Sequence, residues 1–492
     1  MLSKILRDSV VYGLSNGIGR LSAFITAPIL TRIFVPADYG VIDAVMVSTG
    51  LFVLLIGLNL DSGMVRYYYD SDERRAQHDI ANTSFWGGLA LGVGLTAVAL
   101  PFAASFSQAL FKTTEHAHLV RLALLSIPFT LLSHHFQTVL QIQKRPRAFL
   151  AMTSVTVGLS LALTLTLVVG LRWGLTGMMT TVLISAVGTA VGYFALLRPV
   201  YRLGYSRTNL KRLLHYCLPA MPGVGLNWIM RYSNRFFMLQ FTATTGLGLY
   251  AIGDRVAQLL LLAMMAFQTA WRPYAMSMIR DEGARGFYAR AFSLYVVLFA
   301  LAAGAISLFA REALMLFAPQ AYLGAQAVIG ILCLSLLVQS AANQLGMGIN
   351  IAAKTHLVSI AIAIGAAVTT ALNFTLIPQV GIAGAAAALL AGQLASCAFM
   401  YWQAQRLYPV RYDVGRALLA LGLVASLAAA GYYLGGALAY PQALLVKLAV
   451  LVGFAAVVYS LVMTGEQRHR LRSRLGQVRA HLRATMSPRS VP

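Results

Sequence analysis

The sequence has 492 residues, of which 59% are hydrophobic and 11% charged, with a formal net charge of +23. Soluble domains carry about 25% charged residues, so lipid rather than water is the main solvent, and a chain of several aqueous cores is excluded. The positive charge is spread over short connections and a tail rather than gathered in one patch, which excludes nucleic acid as a partner.

The amino-terminal stretch MLSKILRDSVVYG carries charge without a small-residue cleavage site after a short apolar core, so it predicts a retained first span. Stretches of about 20 apolar residues predict helices across the bilayer near 11–33, 42–63, 80–104, 119–142, 149–171 and 175–197. A second group follows near 215–240, 247–270, 290–310, 327–351, 356–377 and 381–404, with two more near 416–438 and 442–463. The runs are continuous, without ten-residue alternation, which favours helices over a barrel. With the amino terminus inside, 28 of the 38 lysines and arginines fall on the inner side and six, Arg32, Lys112, Arg121, Arg172, Arg311 and Lys447, outside, a positive-inside pattern with both termini cytoplasmic. In the tail, Leu471, Leu475, Val478 and Leu482 recur at helical spacing among arginines; an amphipathic helix on the inner leaflet and an unstructured topology signal both fit.

The two groups of six spans repeat each other. A shift of 207 residues places Ser133 on Ser340, Gln137 on Gln344, Gly158 on Gly365, Gly174 on Gly381 and Gly177 on Gly384. Earlier in the chain the shift is 208, setting Asp38-Tyr39-Gly40 against Gly246-Leu247-Gly248. Six is even, so both copies keep one orientation, as in transporters built from parallel repeats about a central path. The expectation is an all-α integral membrane protein of about 14 transmembrane helices, two parallel six-helix repeats plus two C-terminal helices. Its parts are an N-terminal lobe over 1–210, a C-terminal lobe over 211–406, two extra helices over 407–464 and a basic cytoplasmic tail over 465–492.

An arginine at the bilayer centre costs at least about 2.5–3.5 kcal/mol, so arginines inside spans need partners or water. The seventh span holds Asn227, Arg231, Asn234 and Arg235 at i, i+4, i+7 and i+8, on one helical face. The first span repeats the idea with Asn16 and Arg20. Such a face reads as a cationic cavity suited to phosphate oxygens, or as arginines that snorkel or cap carbonyls near a span end. Arg255 follows in the eighth span. Asp254, Asp43 and Asp61 could carry a coupling ion or make helix-end ion pairs, and His134-His135 in the fourth span joins a proton path or packs between helices.

Other signals are weak. Cys217, Cys333 and Cys397 sit in apolar segments as small hydrophobes. His116 and His118 lack companion metal ligands, and Gly246-x-Gly248 lacks the strand–turn–helix of a dinucleotide fingerprint; neither a metal nor a cofactor is expected. No loop is long enough for the catalytic domain of a membrane polysaccharide polymerase or glycosyltransferase, so an enzyme is disfavoured.

With these features the chain resembles the polysaccharide/oligosaccharide (Wzx-type) flippases of the multidrug/oligosaccharidyl-lipid/polysaccharide exporter superfamily. The motifs are TAPILTRIFVPADYG in the first span, LPAMPG opening the seventh, RYSNRFFM within it, then GLGLYAIGDRV and AFQTAWRPY. Many relatives carry an acid directly before the seventh-span arginine, where this chain has Asn234. The resemblance implies transfer of an undecaprenyl-pyrophosphate-linked oligosaccharide across the bacterial inner membrane by alternating access, alongside a polysaccharide polymerase and other pathway proteins. A lipid II flippase and a drug/cation antiporter of the same superfamily are the neighbouring readings; the latter typically has twelve spans and an acid in the first.

Overall fold

The computed structural model describes residues 24–70, 73–201, 204–437 and 440–463, with residues 15, 17–19, 22, 465 and 467–469 beside them. Asn16 and Arg20 of the first span, and the amphipathic pattern from Leu471 to Leu482, lie outside the described residues. Residues 24–33 are helical. The N-terminal lobe then comprises α1 (Pro36–Gly57), α2 (Leu60–Tyr68), α3 (Arg74–Ala99), α4 (Ala103–Phe111), α5 (Ala117–Ile142), α6 (Pro146–Leu163) and α7 (Gly174–Leu197). A connecting helix, α8 (Arg207–Cys217), leads to α9 (Met221–Phe241), α10 (Ala243–Ser277), α11 (Ala284–Leu308), α12 (Ala310–Phe317), α13 (Gln326–Leu345), α14 (Met347–Ile351), α15 (His356–Val380) and α16 (Ile382–Leu407). The chain ends in α17 (Val414–Ala437) and α18 (Tyr440–Val457). No strand occurs among the described residues.

Twelve of the described helical segments are long and apolar enough to cross a membrane. The two remaining expected spans are the first, only partly described, and α9, whose four polar face residues lower its hydropathy although it is 21 residues long and packs against α10 and α15. The multi-pass helical membrane fold expected from the apolar runs is therefore present. Local chemistry sets the helix starts: Pro36 and Pro146 occupy first-turn positions where no backbone N–H is needed. The Ser206 hydroxyl caps α8 by accepting from the Asn209 N–H at 3.2 Å.

Packing repeats the two-copy pattern. In the N-terminal lobe α5 packs on α1, α3 and α7, and α6 on α7; in the C-terminal lobe α13 packs on α10, α11 and α16, and α15 on α16. Gly174 and Gly381, 207 residues apart, both take left-handed φ, +57° and +63°, at the tight turns into α7 and α16. These are the only positive-φ glycines among the described residues, so the repeat extends to backbone conformation. Over Pro146–Leu163, α6 buries only Phe149 and leaves the rest of its apolar surface at least partly uncovered by protein.

The lobes meet chiefly along α1 and α10. A Cβ on Gly40 would collide with the Thr244 carbonyl oxygen, and one on Gly248 with the Pro36 carbonyl oxygen. The shift of 208 converts each contact into the other, so a local pseudo-two-fold axis passes between the glycines. Small residues let the backbones touch where packing, rather than a hydrophobic gradient, must hold helices together. Beside this crossing the Tyr322 hydroxyl donates to Phe34 O at 2.7 Å, and the Thr31 hydroxyl donates to Phe317 O at 2.7 Å. The lobes are thus closed against each other at the end of the bundle that carries residues 31–40, 244–248 and 317–322.

Two features depart from the expected spans. The second span does not run unbroken over 42–63: α1 ends at Gly57, Leu58 and Asn59 adopt left-handed φ of +47° and +54°, and α2 starts afresh at Leu60. Lys447, assigned by sequence to the outer charges, is fully buried in α18, and its Nζ donates to both Glu312 carboxylate oxygens at 2.8 and 2.9 Å. This pair, with the Gln326 Nε2 bond to Gly431 O at 3.0 Å, ties the two extra helices to the C-terminal lobe.

Candidate functional site

The polar face of α9 is graded in the folded chain. Asn227 is exposed, Arg231 half-buried, and Asn234 and Arg235 buried. The far end of the face is covered by Tyr250 and Asp254 of α10 and by Asp43 of α1. Four residues that share one side of a helical wheel therefore meet three different environments.

Arg235 is enclosed by its own counter-charges. Its Nη2 donates to Asp254 Oδ2 of α10 at 3.0 Å, and its Nε lies 3.7 Å from Asp43 Oδ2 of α1. Nη1 donates to Asn234 Oδ1 at 3.0 Å and to the Arg231 carbonyl at 3.1 Å. The guanidinium sits 4.8 Å from the Tyr250 ring centre and 5.2 Å from that of Tyr232. Asn234 Nδ2 donates to the Tyr250 hydroxyl at 2.8 Å, and Gln258 Nε2 to Asp254 Oδ2 at 3.0 Å. One guanidinium shared by two carboxylates has no spare charge to offer an anion. Because Asp43 belongs to the N-terminal lobe and Asp254 to the C-terminal lobe, the cluster is also an electrostatic tie across the lobe boundary.

Arg231 and Arg255 are placed differently. Both line a cavity of about 560 Å³ between the lobes, together with Gly19, Phe24, Tyr232 and Gln258. Among the described residues no carboxylate lies within ion-pair distance of the Arg231 guanidinium. The Arg255 guanidinium lies 5.2 Å from the Tyr39 ring centre, bridging the two lobes. Guanidinium groups in a partly dehydrated cavity offer planar paired donors, the geometry that phosphate oxygens accept best. The cavity thus combines positive charge with aromatic edges and one amide.

Of the sequence candidates, the structure brings together Arg231, Asn234, Arg235, Asp254, Asp43 and Arg255. Asp61 lies elsewhere, in the N-terminal lobe, where its Oδ1 is 3.2 Å from His135 Nδ1. Sequence reasoning missed Tyr250, Gln258 and Tyr39. The first two were accessible in principle, because Tyr250, Asp254 and Gln258 recur at i, i+4 and i+8 and so mark a polar stripe on α10 facing that of α9. No group of three or more histidine, cysteine or acidic side chains that could hold a metal occurs among the described residues.

Residues 29–324, more than half of the chain, match the model of a family described as polysaccharide biosynthesis protein. Over 238 residues the chain is 23% identical to the succinoglycan biosynthesis transport protein ExoT of Rhizobium meliloti (strain 1021), covering 48% of this chain and 46% of that one. It thus spans about half of that relative's length. Over 296 residues it is 21% identical to Lsg locus putative protein 1 of Haemophilus influenzae, covering 57% and 68% of the two chains. In fold it is similar to the lipid II flippase MurJ in an inward closed conformation, with a TM-score of 0.70 at 12% identity over 92% of this chain and 99% of that one. It is also similar to a multidrug resistance MATE family transporter of the MOP superfamily in an inward-facing conformation, with a TM-score of 0.62 at 17% identity over 81% and 94%. The fold is therefore that of the MOP-superfamily transporters, and by its family match the chain belongs to the polysaccharide biosynthesis protein family.

Proposed function

We propose that the protein is a flippase that moves an undecaprenyl-pyrophosphate-linked oligosaccharide across the bacterial inner membrane by alternating access, for surface polysaccharide assembly. The observation that carries this reading is the cationic cavity between the lobes, with Arg231 unmatched by any carboxylate among the described residues. Its volume falls within the range of roughly 300–1,000 Å³ typical of small-ligand pockets, a size suited to a pyrophosphate and its first sugar. The lipid tail stays in the bilayer while the charged headgroup, which cannot cross about 30 Å of hydrocarbon unaided, passes between the lobes. The family match and the printed name of the Rhizobium relative support a polysaccharide role. A positively charged cavity argues against export of cationic drugs despite the shared fold.

In this reading both termini are cytoplasmic, because 28 of 38 lysines and arginines then lie inside. The closed end at Gly40 and Gly248 becomes the periplasmic end, and the cavity is loaded from the cytoplasm. Reporter fusions after residues 112, 172 and 311 are expected to be active outside, and those after 74, 205 and 470 inside. Reversed activity at the first three positions refutes the orientation.

The functional test uses vesicles containing the purified protein and fluorescently labelled lipid-linked glycan, with headgroup accessibility followed from each face. Accessibility is expected to equilibrate faster than in protein-free vesicles. Equal rates under every imposed ion gradient refute the flippase reading. Parallel vesicles carrying labelled lipid II or a cationic dye separate the two neighbouring substrate classes, and faster movement of either one reassigns the substrate.

A further inference from the structure

A second cavity, of about 310 Å³, lies in the N-terminal lobe and shares no lining residue with the cationic one. Its polar wall is built by Asn59 before α2, Asp61 in the first turn of α2, Ser84 of α3, and His134 and His135 of α5. Leu54, Leu131 and Leu132 make an apolar wall, and Met221 and Val224 of α9 close the cavity from the other lobe. Among the described residues that line it there is no lysine or arginine, and Asp61 is the one carboxylate. Like charges repel strongly at short range, so an anion such as phosphate is the wrong ligand for this wall.

The wall is built beyond what packing requires. His135, 4% exposed, sets its Nδ1 3.2 Å from Asp61 Oδ1 and 3.5 Å from Ser84 Oγ, which fixes the carboxylate while a third of its side chain stays open. An ionised carboxylate accepts about four hydrogen bonds, so acceptor capacity is left over. His134 beside it is exposed. The 207-residue shift sets His134 and His135 on Ala341 and Ala342, so the helix packing common to both lobes does not call for polar groups here. Gly50 and Gly88 also line the cavity, and a Cβ added to either meets no atom within 4 Å. No neighbouring helix needs these two glycines; their missing side chains keep the cavity open.

One face of α9 joins the two cavities. Val224 lines the first and Arg231 the second. They are seven residues apart, two helical turns, and so lie on the same side of the helix about 10 Å apart along its axis. Asn227, exposed, stands between them on that face. A molecule with an anionic group at Arg231 therefore has a polar route along α9 to the wall of Asp61 and His134.

We infer that the 310 Å³ cavity is a sugar subsite, which takes an uncharged, hydroxyl-bearing ring of the cargo close to the pyrophosphate received at Arg231 and Arg255. The inference rests on the flippase reading and adds to it the class of sugar selected. Neighbouring hydroxyls of the ring donate to the Asp61 carboxylate, and His134 and Asn59 meet hydroxyls on the same edge. The C–H face of the ring packs on Leu54, Leu131 and Leu132, the usual division of a small-ligand pocket into an apolar lining and a few placed polar groups. His135 is a positioning residue, acting through Asp61. A site built to bond hydroxyls discriminates against a cargo that lacks them, and its carboxylate discriminates against a ring that carries its own negative charge. Because Met221 and Val224 belong to the other lobe, movement of the lobes takes the subsite apart and frees the sugar.

The test measures equilibrium binding of short-chain polyprenyl pyrophosphates to the full chain in lipid nanodiscs. The probes are capped by methyl, by glucose or galactose, or by the matching uronic acid. The better of the two hexose probes is expected to bind roughly ten- to a hundredfold tighter than the methyl probe, the worth of a charge-assisted hydrogen bond, and the uronic acid probe no tighter than methyl. Asp61→Asn is expected to erase the hexose preference and to admit the uronic acid. Gly88→Leu, which fills the open space and leaves the bond between Asp61 and His135 in place, is expected to erase the preference too. His135→Ala should lower it, and His135→Asn, which keeps a donor, should restore part of it. Arg231→Ala should weaken all the probes alike and leave their ratio unchanged. Equal binding of hexose and methyl probes by the parent overturns the inference, as does a uronic acid bound as tightly as its hexose. So does a ratio untouched by Asp61→Asn and Gly88→Leu, and should Asp61→Asn fail to fold, Gly88→Leu decides alone. A cationic dye that displaces the hexose probe from the parent but not from Asp61→Asn assigns the cavity to cations and overturns it as well. If the parent binds none of the probes, the flippase reading falls and the subsite with it; if it binds all of them equally, the subsite alone falls.

Discussion

Replacing Arg235 by alanine is expected to destabilise the protein by about 3–5 kcal/mol, the cost of leaving buried charge uncompensated. The side chain is 4% exposed and is the ion partner of both Asp254 and Asp43, at 3.0 and 3.7 Å. Its loss leaves two carboxylates facing each other in low dielectric, together with Asn234 Oδ1 and the Arg231 carbonyl deprived of their donor. The check is thermal unfolding of the detergent-purified protein, read by loss of the monodisperse species. Substituting Arg235→Met with Asp43→Asn and Asp254→Asn removes all three charges at once and is expected to recover most of the stability, since neutral replacement of buried ion clusters is often tolerated. An Arg235→Ala variant that unfolds at the parent temperature contradicts the role. So does a triple variant no more stable than Arg235→Ala, because the defect would then lie in lost packing and not in stranded charge.

This division of labour between neighbouring arginines was beyond the reach of sequence. Spacing placed Asn227, Arg231, Asn234 and Arg235 on one face, and that face exists. Which arginine is neutralised depends on partners 19 and 192 positions away, Asp254 and Asp43, which tertiary packing brings to it. Helical periodicity carries no such information. The spans were legible because bilayer thickness imposes a length on apolar runs that no soluble fold requires. The repeat was legible through glycines whose roles turn out to be stereochemical: Gly174 and Gly381 take left-handed turns, and Gly40 and Gly248 admit a neighbouring backbone. The break in the second span was not legible, because Leu58 lies within an apolar run and favours helix by composition. Asn59 was the one local hint, since asparagine visits the left-handed region more readily than other residues with a side chain. The burial of Lys447 was not legible because a lone lysine near a span end normally snorkels to water, whereas here Glu312 meets it inside the protein.

Arg231→Ala is expected to abolish most headgroup movement while leaving insertion and thermal stability close to those of the parent. The residue is half-buried at the cavity wall, and no carboxylate among the described residues depends on it, so its removal strands no counter-charge. What disappears is a guanidinium placed to meet phosphate oxygens, and a charge-assisted hydrogen bond of that kind contributes roughly 1.5–3 kcal/mol, or about one to two orders of magnitude in transport rate. Arg231→Lys should restore only part of this, because a single ammonium keeps the charge but not the paired donors. Arg255→Ala should show a smaller loss, since its guanidinium already engages the Tyr39 ring and serves as much to join the lobes as to meet cargo. The measurement is initial flipping rate in vesicles, scaled to correctly inserted protein, beside unfolding temperature for each variant. Equal rates for the parent and Arg231→Ala remove the cavity from the transport path. Full rescue by Arg231→Lys would show that diffuse positive charge, rather than bidentate recognition, is what the cavity contributes.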